Sequence, residues 1–213
     1  MVRIKKFVFS PFQENTYVLF NNEQECWIID PGCYSPEEKE ELKDFIDTND
    51  LKPVRLLNTH CHLDHVFGNA FVSKTYGLNP EYHQLDQVTL DMAPISAKMY
   101  GIPNVEDSPI AKNNLEEGDD LSLGSQAYEI RFCPGHAPGH VVLINHQQKH
   151  IIAGDVLFYE SIGRTDLPGG DHDTLLESIR VKLFDLDDSY EVYCGHGPET
   201  SIGHEKKHNP FVQ

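Results

Sequence analysis

Residues 58–68 read NTHCHLDHVFG, with three histidines and an aspartate at 60, 62, 64 and 65. The stretch follows VRLLN, which reads as a strand, and leads into HVFGNAFVSKTYG, which reads as a helix closed by Gly77. Side chains on a strand-end loop converge on one point while the strand and helix hold them rigid. Histidine offers a neutral ring nitrogen and aspartate a hard oxygen, a set that suits zinc, iron or manganese. His60 and His62, two apart in an extended loop, face the same way. Asp64 and His65 follow as the chain turns and face a second point nearby. The expectation is four ligands split between two metal ions, in preference to a solvated polar loop or a helix capped by Asp64.

Two ions need more than four donors. CPGHAPGH (133–140) offers His136, IIAGDVLF (151–158) offers Asp155, and VYCGHGPE (192–199) offers His196. Each stands at the end of a predicted strand beside glycine, which permits tight turns and close backbone approach.

The rest of the chain supplies a frame for such loops. IKKFVFSPFQENTYVLF reads as two strands around a turn at Ser10–Asn15, and CWIIDPG as a buried strand ended by Pro31 and Gly32. Ser35, Pro36 and the acidic residues after them are helix-start signals. AYEIRFCPGH, HVVLINH and HIIAGDVLF read as three strands. Residues 171–186 form a helical face capped by Asp171 or Asp173, and YEVYCGHG is a last strand before a short closing helix. Residues 79–120 carry Pro80, Pro94, Pro103 and Pro109 with helical scraps, and read as an insertion or flap. The expectation is an α/β protein in which helices cover sheets, forming a single domain over 1–213.

The bulk numbers narrow the function. Thirty-four acidic and 17 basic residues leave a formal charge of −17. Such a surface repels nucleic-acid phosphates and anionic membranes, so a small molecule is the expected partner. Five cysteines, at 26, 33, 61, 133 and 194, do not make a disulfide framework and point to a reducing, cytoplasmic setting. No signal peptide is read in the first 20 residues, and no apolar run approaches the roughly 20 residues of a membrane span.

In order along the chain, IIDPG, THCHLDH, GHAPGH, AGD and CGHG resemble the landmarks of the metallo-β-lactamase-fold hydrolases. The resemblance implies a four-layer αββα sandwich with two divalent transition metals, zinc first and iron or manganese as alternatives, at one edge of its sheets. It places one metal on His60, His62 and His136, a second on Asp64, His65 and His196, and Asp155 between them. It implies hydrolysis by a metal-bridging hydroxide, with Asp64 orienting it or taking its proton.

Within that superfamily, AGDVLFYESIGRTDLPGGD (153–171) and HNPF (208–211) resemble the compact type II glyoxalases, the hydroxyacylglutathione hydrolases. The substrate implied is a thioester such as S-lactoylglutathione or a related acyl thiol. Arg164 stands where the larger enzymes hold a glutathione carboxylate with lysine. Two features depart from the pattern: Asp166 stands where those enzymes have a tyrosine, and their C-terminal helical domain is expected to be missing after Gln213. The alternative is a mononuclear-iron persulfide dioxygenase using His60, His136 and Asp155, since GRTD is shared with that group. A lactone or ester hydrolase of the same superfamily, or a metal-binding module without activity, completes the set. His83, His140, His146, His150, His172, His204 and His208 read as surface or packed residues, with His140 as a support for the site. Cys61, Cys133 and Cys194 read as buried small apolar residues.

Overall fold

The computed structural model describes residues 1–212. Two six-stranded sheets lie face to face. The first contains β1 (Arg3–Phe9), β2 (Glu14–Phe20), β3 (Glu25–Ile29), β4 (Lys52–Leu57), β5 (Pro80–Tyr82) and β6 (Asn113–Asn114), in that spatial order. The first three run antiparallel, and the last three continue parallel to β3. The second contains β7 (Asp120–Leu123), β8 (Gln126–Phe132), β9 (Val141–Asn145) and β10 (His150–Gly154). A two-stranded hairpin, β11 (Leu157–Phe158) with β12 (Ser161–Ile162), follows. Then β13 (Glu191–Cys194) and β14 (Thr200–Ser201) complete the second sheet in the order β14-β13-β10-β9-β8-β7.

Helix α1 (Pro36–Thr48) covers the outer face of the first sheet, with α2 (Leu63–Val66) and α3 (Asn69–Tyr76) following β4. The short helices α4 (Gln87–Asp91) and α5 (Ala93–Met99) lie within 79–120. Helices α6 (His172–Ser178) and α7 (Ile202–His208) cover the second sheet. The chain is therefore the αββα sandwich expected.

Alternation along the strands makes the layers. In β2, Tyr17 and Leu19 point into the space between the sheets, while Val18 and Phe20 point toward α1. In β9, Val141 and Leu143 face the first sheet, and Val142 and Ile144 face α6. All seven residues of β2 are buried: Tyr17–Phe20 are apolar on both faces, and the polar Glu14, Asn15 and Thr16 lie at the strand's start.

The structure differs from the sequence reading at several element ends. The helix read over 65–77 is two helices, because the Gly68 N–H leaves the helical ladder to donate to Pro31 O at 2.7 Å. A side chain at 68 would also strike Cys33 Sγ and Pro31 O. Gly77 closes α3 in the left-handed conformation, as read. The strand read over 150–158 breaks at Asp155, where Val156 N–H turns back to Ala153 O. Asp171, and not Asp173, caps α6, and a π-helical turn over Ile179–Leu183 continues it. The sequence reading has no counterpart for β7, for β5 or for the two-residue strands β6, β12 and β14. All five cysteines are buried free thiols, and burial lifts the pKa of Cys133 and Cys194 to about 12. Among the described residues no helix is long and apolar enough to cross a membrane.

Trp27 is fully buried between the sheets, its ring 5.1 Å from that of Tyr128. Trp27→Ala is expected to cost about 3–5 kcal/mol of folding stability. Urea unfolding followed by far-UV circular dichroism, with a chelator present, measures it; a loss below 1 kcal/mol would contradict this packing.

Candidate metal centre

The seven candidate ligands meet at one edge of the sandwich. His60 and His62 leave the end of β4, and Asp64 and His65 sit in the first turn of α2. His136 comes from the β8–β9 loop, Asp155 from the end of β10, and His196 from the end of β13. His60, His62 and His136 form one group whose donor atoms lie within 4.8 Å of one another, and Asp64, His65 and His196 form another. Asp155 stands between the groups: Oδ2 is 3.4 Å from His136 Nε2 and 3.6 Å from His196 Nε2, and Oδ1 is 3.4 Å from His65 Nε2.

Partners on the outer side of His60, His136 and His196 set which nitrogen faces inward. The Thr59 hydroxyl donates to Asp30 Oδ2 at 2.6 Å and so accepts from His60 Nδ1 at 3.1 Å. That leaves a lone pair on His60 Nε2. His136 Nδ1–H donates to Arg164 O at 2.7 Å, and His196 Nδ1–H to Gln13 O at 3.2 Å, with the same result. His65 Nδ1 faces Asp30 Oδ2 at 3.2 Å. Asp30 is also close enough to His60 and His65 to join a third donor group. Its oxygens are engaged by the Thr59 N–H and hydroxyl, so it orients ligands instead of adding one.

The residues suit divalent cations on two observations. First, the outer partners leave lone pairs on Nε2 of both His60 and His136, and these two atoms face each other at 3.3 Å. Lone pairs facing at such range repel unless a cation lies among them, and a tetrahedral ion with metal–nitrogen bonds near 2.0–2.1 Å sets ligand edges of about 3.3 Å. Second, His65 Nε2 and Asp155 Oδ1 are buried with no hydrogen-bond partner, as is expected of metal donors.

The electrostatics divide the site. Burial, then the neighbouring imidazoles, hold His60 well below the ordinary histidine range. Burial and His136 bring His62 down to about 3. Burial also opposes charge on His65, but Asp155 and Asp64 outweigh it and raise its pKa. Burial disfavours the Asp155 carboxylate, yet His65, His136 and His196 hold its pKa well below the usual range. His60 and His62 are thus held neutral, while Asp64, His65, Asp155 and His196 form a strongly ionic set.

Sequence reasoning missed four supports. Asp30 lay inside the IIDPG landmark, without a role. Thr59 lay inside the motif. Asp86, in the irregular segment, accepts from Cys61 N–H, Gly139 N–H at 2.9 Å and the Thr89 hydroxyl at 3.1 Å, so one carboxylate ties two ligand loops together. Glu14 is buried with its Oε1 3.9 Å from His65 Nδ1. A lone carboxylate in an irregular stretch carries no periodic signal. His140 supports the site as read, accepting the Asp155 N–H at 3.0 Å. Gly135, at φ 124°, and Gly195 have no room for a side chain: a Cβ would overlap the Leu175 backbone in one case and the Asp155 carboxylate in the other.

A cleft of about 510 Å³ opens onto His62, Asp64, His136, Asp155 and His196. Arg164 lines its rim, where the guanidinium is held by Asp166 through Nε–Oδ1 at 2.7 Å and Nη2–Oδ2 at 2.8 Å.

The model of the metallo-beta-lactamase superfamily matches residues 9–196. Hydroxyacylglutathione hydrolase GloC of Haemophilus influenzae is 39 % identical over 202 residues, covering 94 % of this chain and 93 % of that protein. The crystal structure of the BLEG-1 B3 metallo-beta-lactamase has a TM-score of 0.90 and 37 % identity, covering 99 % of this chain and 100 % of that chain. The crystal structure of TTHA1623 in a di-iron-bound form has a TM-score of 0.87 and 34 % identity, over 97 % and 99 %.

Thr59→Val removes the hydroxyl between Asp30 and His60 while keeping its shape. Metal affinity is expected to fall about 10- to 100-fold. Competition against a chromogenic chelator reads this, and an affinity equal to the parent's would discard the tautomer argument.

Proposed function

The chain belongs to the metallo-β-lactamase superfamily of metal-dependent hydrolases, and on that premise we propose that it is a binuclear hydrolase of thioesters, S-lactoylglutathione or a related acyl thiol. One observation carries this reading: two donor groups share the Asp155 carboxylate at the floor of a cleft with largely apolar walls. The name of the Haemophilus influenzae relative supports the substrate class.

His60, His62 and His136 would hold one cation, and Asp64, His65 and His196 the other, with Asp155 between. Zinc is the first choice, and the di-iron form of a similar protein keeps iron open. When bound, the pair would lower the pKa of water to about 7 and polarise a carbonyl oxygen.

The chain does the rest. Asp64 Oδ2, 3.2 Å from His196 Nε2, faces the cleft as the acceptor for a proton from the attacking water. The Arg164 and Gln13 carbonyls and the Thr59 hydroxyl keep three imidazoles from turning. Residues 79–120 contribute Val88, Met92 and Tyr100 to the cleft and act as its cover, excluding water around the acyl group. Water adds to the carbonyl carbon, the carbon–sulfur bond breaks, and a carboxylic acid and a thiol leave. The persulfide dioxygenase alternative uses His60, His136 and Asp155 alone and gives the convergent Asp64, His65 and His196 no task.

Protein purified from rich medium is expected to hold close to two transition-metal ions per chain and to release thiol from S-lactoylglutathione or another acyl thioester. Chelation should abolish turnover and metal should restore it. One iron per chain, with dioxygen uptake on glutathione persulfide and no thioester cleavage, would replace this reading. Hydrolysis of a β-lactam in preference to every thioester would also overturn it.

A further inference from the structure

We propose that the two metal positions are held by separable supports, and that Asp86 is the positioning residue of the first. It fixes the loops that carry His60, His62 and His136, while Asn15 and Asn58 fix the residues of the second. The inference rests on the binuclear reading and deepens it.

Asp86 is fully buried and comes from the segment that covers the cleft. Its Oδ2 accepts the N–H of Cys61, the residue between His60 and His62. Its Oδ1 accepts Gly139 N–H at 2.9 Å, and Gly139 follows His136 in the β8–β9 loop. The same oxygen accepts the Thr89 hydroxyl at 3.1 Å. Three donors on two oxygens require a side chain that only accepts, which a carboxylate is and an amide is not. The second loop also meets Asp86 backbone to backbone: a Cβ at Gly139 would lie 2.5 Å from Asp86 N. All three members of the first donor group thus stand on chain that one carboxylate anchors.

The second group is held from other directions. Asn58 Nδ2–H donates to His65 O at 3.0 Å, just where the ligand loop enters α2. Asn15 Nδ2–H donates to Cys194 O and Gly197 O, both at 2.9 Å, and so brackets His196. The Gln13 carbonyl takes the His196 ring. Asp30 reaches both groups, through Thr59 to His60 and directly to His65. Among the described residues, neither Asn58 nor Asn15 bonds to Asp86, so the supports divide where the donor groups divide. Asp155 is shared, and loss of one ion leaves its carboxylate to the other.

The test reads metal, not turnover. Zinc titrated against a chromogenic chelator is expected to give two stepwise affinities for the parent. Asp86→Asn should weaken one of them about 10- to 100-fold and leave the other unchanged. Asn15→Ala should do the reverse. Anomalous scattering from crystals grown with one equivalent of zinc locates the retained ion. It should lie among Asp64, His65 and His196 in Asp86→Asn, and among His60, His62 and His136 in Asn15→Ala. Gly139→Ala, which pushes the same loop off Asp86 without removing the carboxylate, should act in the direction of Asp86→Asn and carries that arm if Asp86→Asn does not fold.

A general loss of stability would lower both affinities together in every variant. That outcome, the same ion lost from both variants, or parental affinities in Asp86→Asn and Gly139→Ala overturns the inference. None of these readouts involves a substrate, so each leaves the hydrolase reading intact. A parent that takes up one ion and no more removes the binuclear reading and this inference with it.

Discussion

The Asp155 carboxylate is the constraint around which the rest is arranged. It is buried, so its charge is expensive unless positive partners surround it. Three imidazoles from three different loops point at its two oxygens, and its Oδ1 makes no hydrogen bond. Removing any of the loops would strand a charge, and removing the carboxylate would leave two histidine groups with nothing between them. The site is a set of parts that are individually unfavourable in a protein interior. They become favourable only in company, with cations completing the balance.

The topology explains how loops so distant in sequence arrive together. The first sheet runs antiparallel through β1, β2 and β3, then crosses by α1 to parallel β4. The second runs antiparallel through β8, β9 and β10, then crosses by α6 to parallel β13. An aspartate follows the third strand of each: Asp30 in one and Asp155 in the other. A ligand loop leaves the fourth strand of each. The sheets are joined at this edge by matching bonds, Asn15 N–H to Gly195 O at 2.7 Å and Val141 N–H to Thr59 O at 2.9 Å. Asn15 lies in β2 and Val141 begins β9. The two halves thus clasp each other at the starts of equivalent strands, and the donors collect where they meet. Equivalent position does not mean equivalent work, since Asp30 orients Thr59 and His65 while Asp155 faces both donor groups.

The ligands were legible because they are short-range patterns of rare residue types. His60, His62, Asp64 and His65 announce themselves within six positions, and His136, Asp155 and His196 each sit after an apolar run beside glycine. The layers were legible because Tyr17–Phe20 of β2 and Val141–Ile144 of β9 are short continuous apolar runs, as strands covered on both faces require. Other features depend on contacts that no local pattern encodes. The break at Gly68 exists because the Pro31 carbonyl lies beside it, and Pro31 is 37 residues away in sequence. The anchoring by Asp86 requires Cys61 and Gly139 to be neighbours, and that is known only once the fold is. Strand β7 has four residues and an exposed edge, so its pairing with β8 defines it more than its own composition does.

The same contrast separates the chemistry of the site from its selectivity. The floor is tightly determined: outer partners set the inward nitrogens of His60, His136 and His196, and the glycines at 135 and 195 have no room for a side chain. The rim is not. Val88, Met92 and Tyr100 come from α4, α5 and the residues bounding them, and Arg164 comes from the loop after β12. Their ties to the ligand loops run through α4, which the Thr89–Asp86 hydrogen bond anchors, and through the Arg164 carbonyl, which accepts from His136. That single backbone bond allows the side chain at 164, and its partner at 166, to vary without disturbing the imidazole they stand over. The metal-binding floor can therefore keep its geometry while the two side chains above it change.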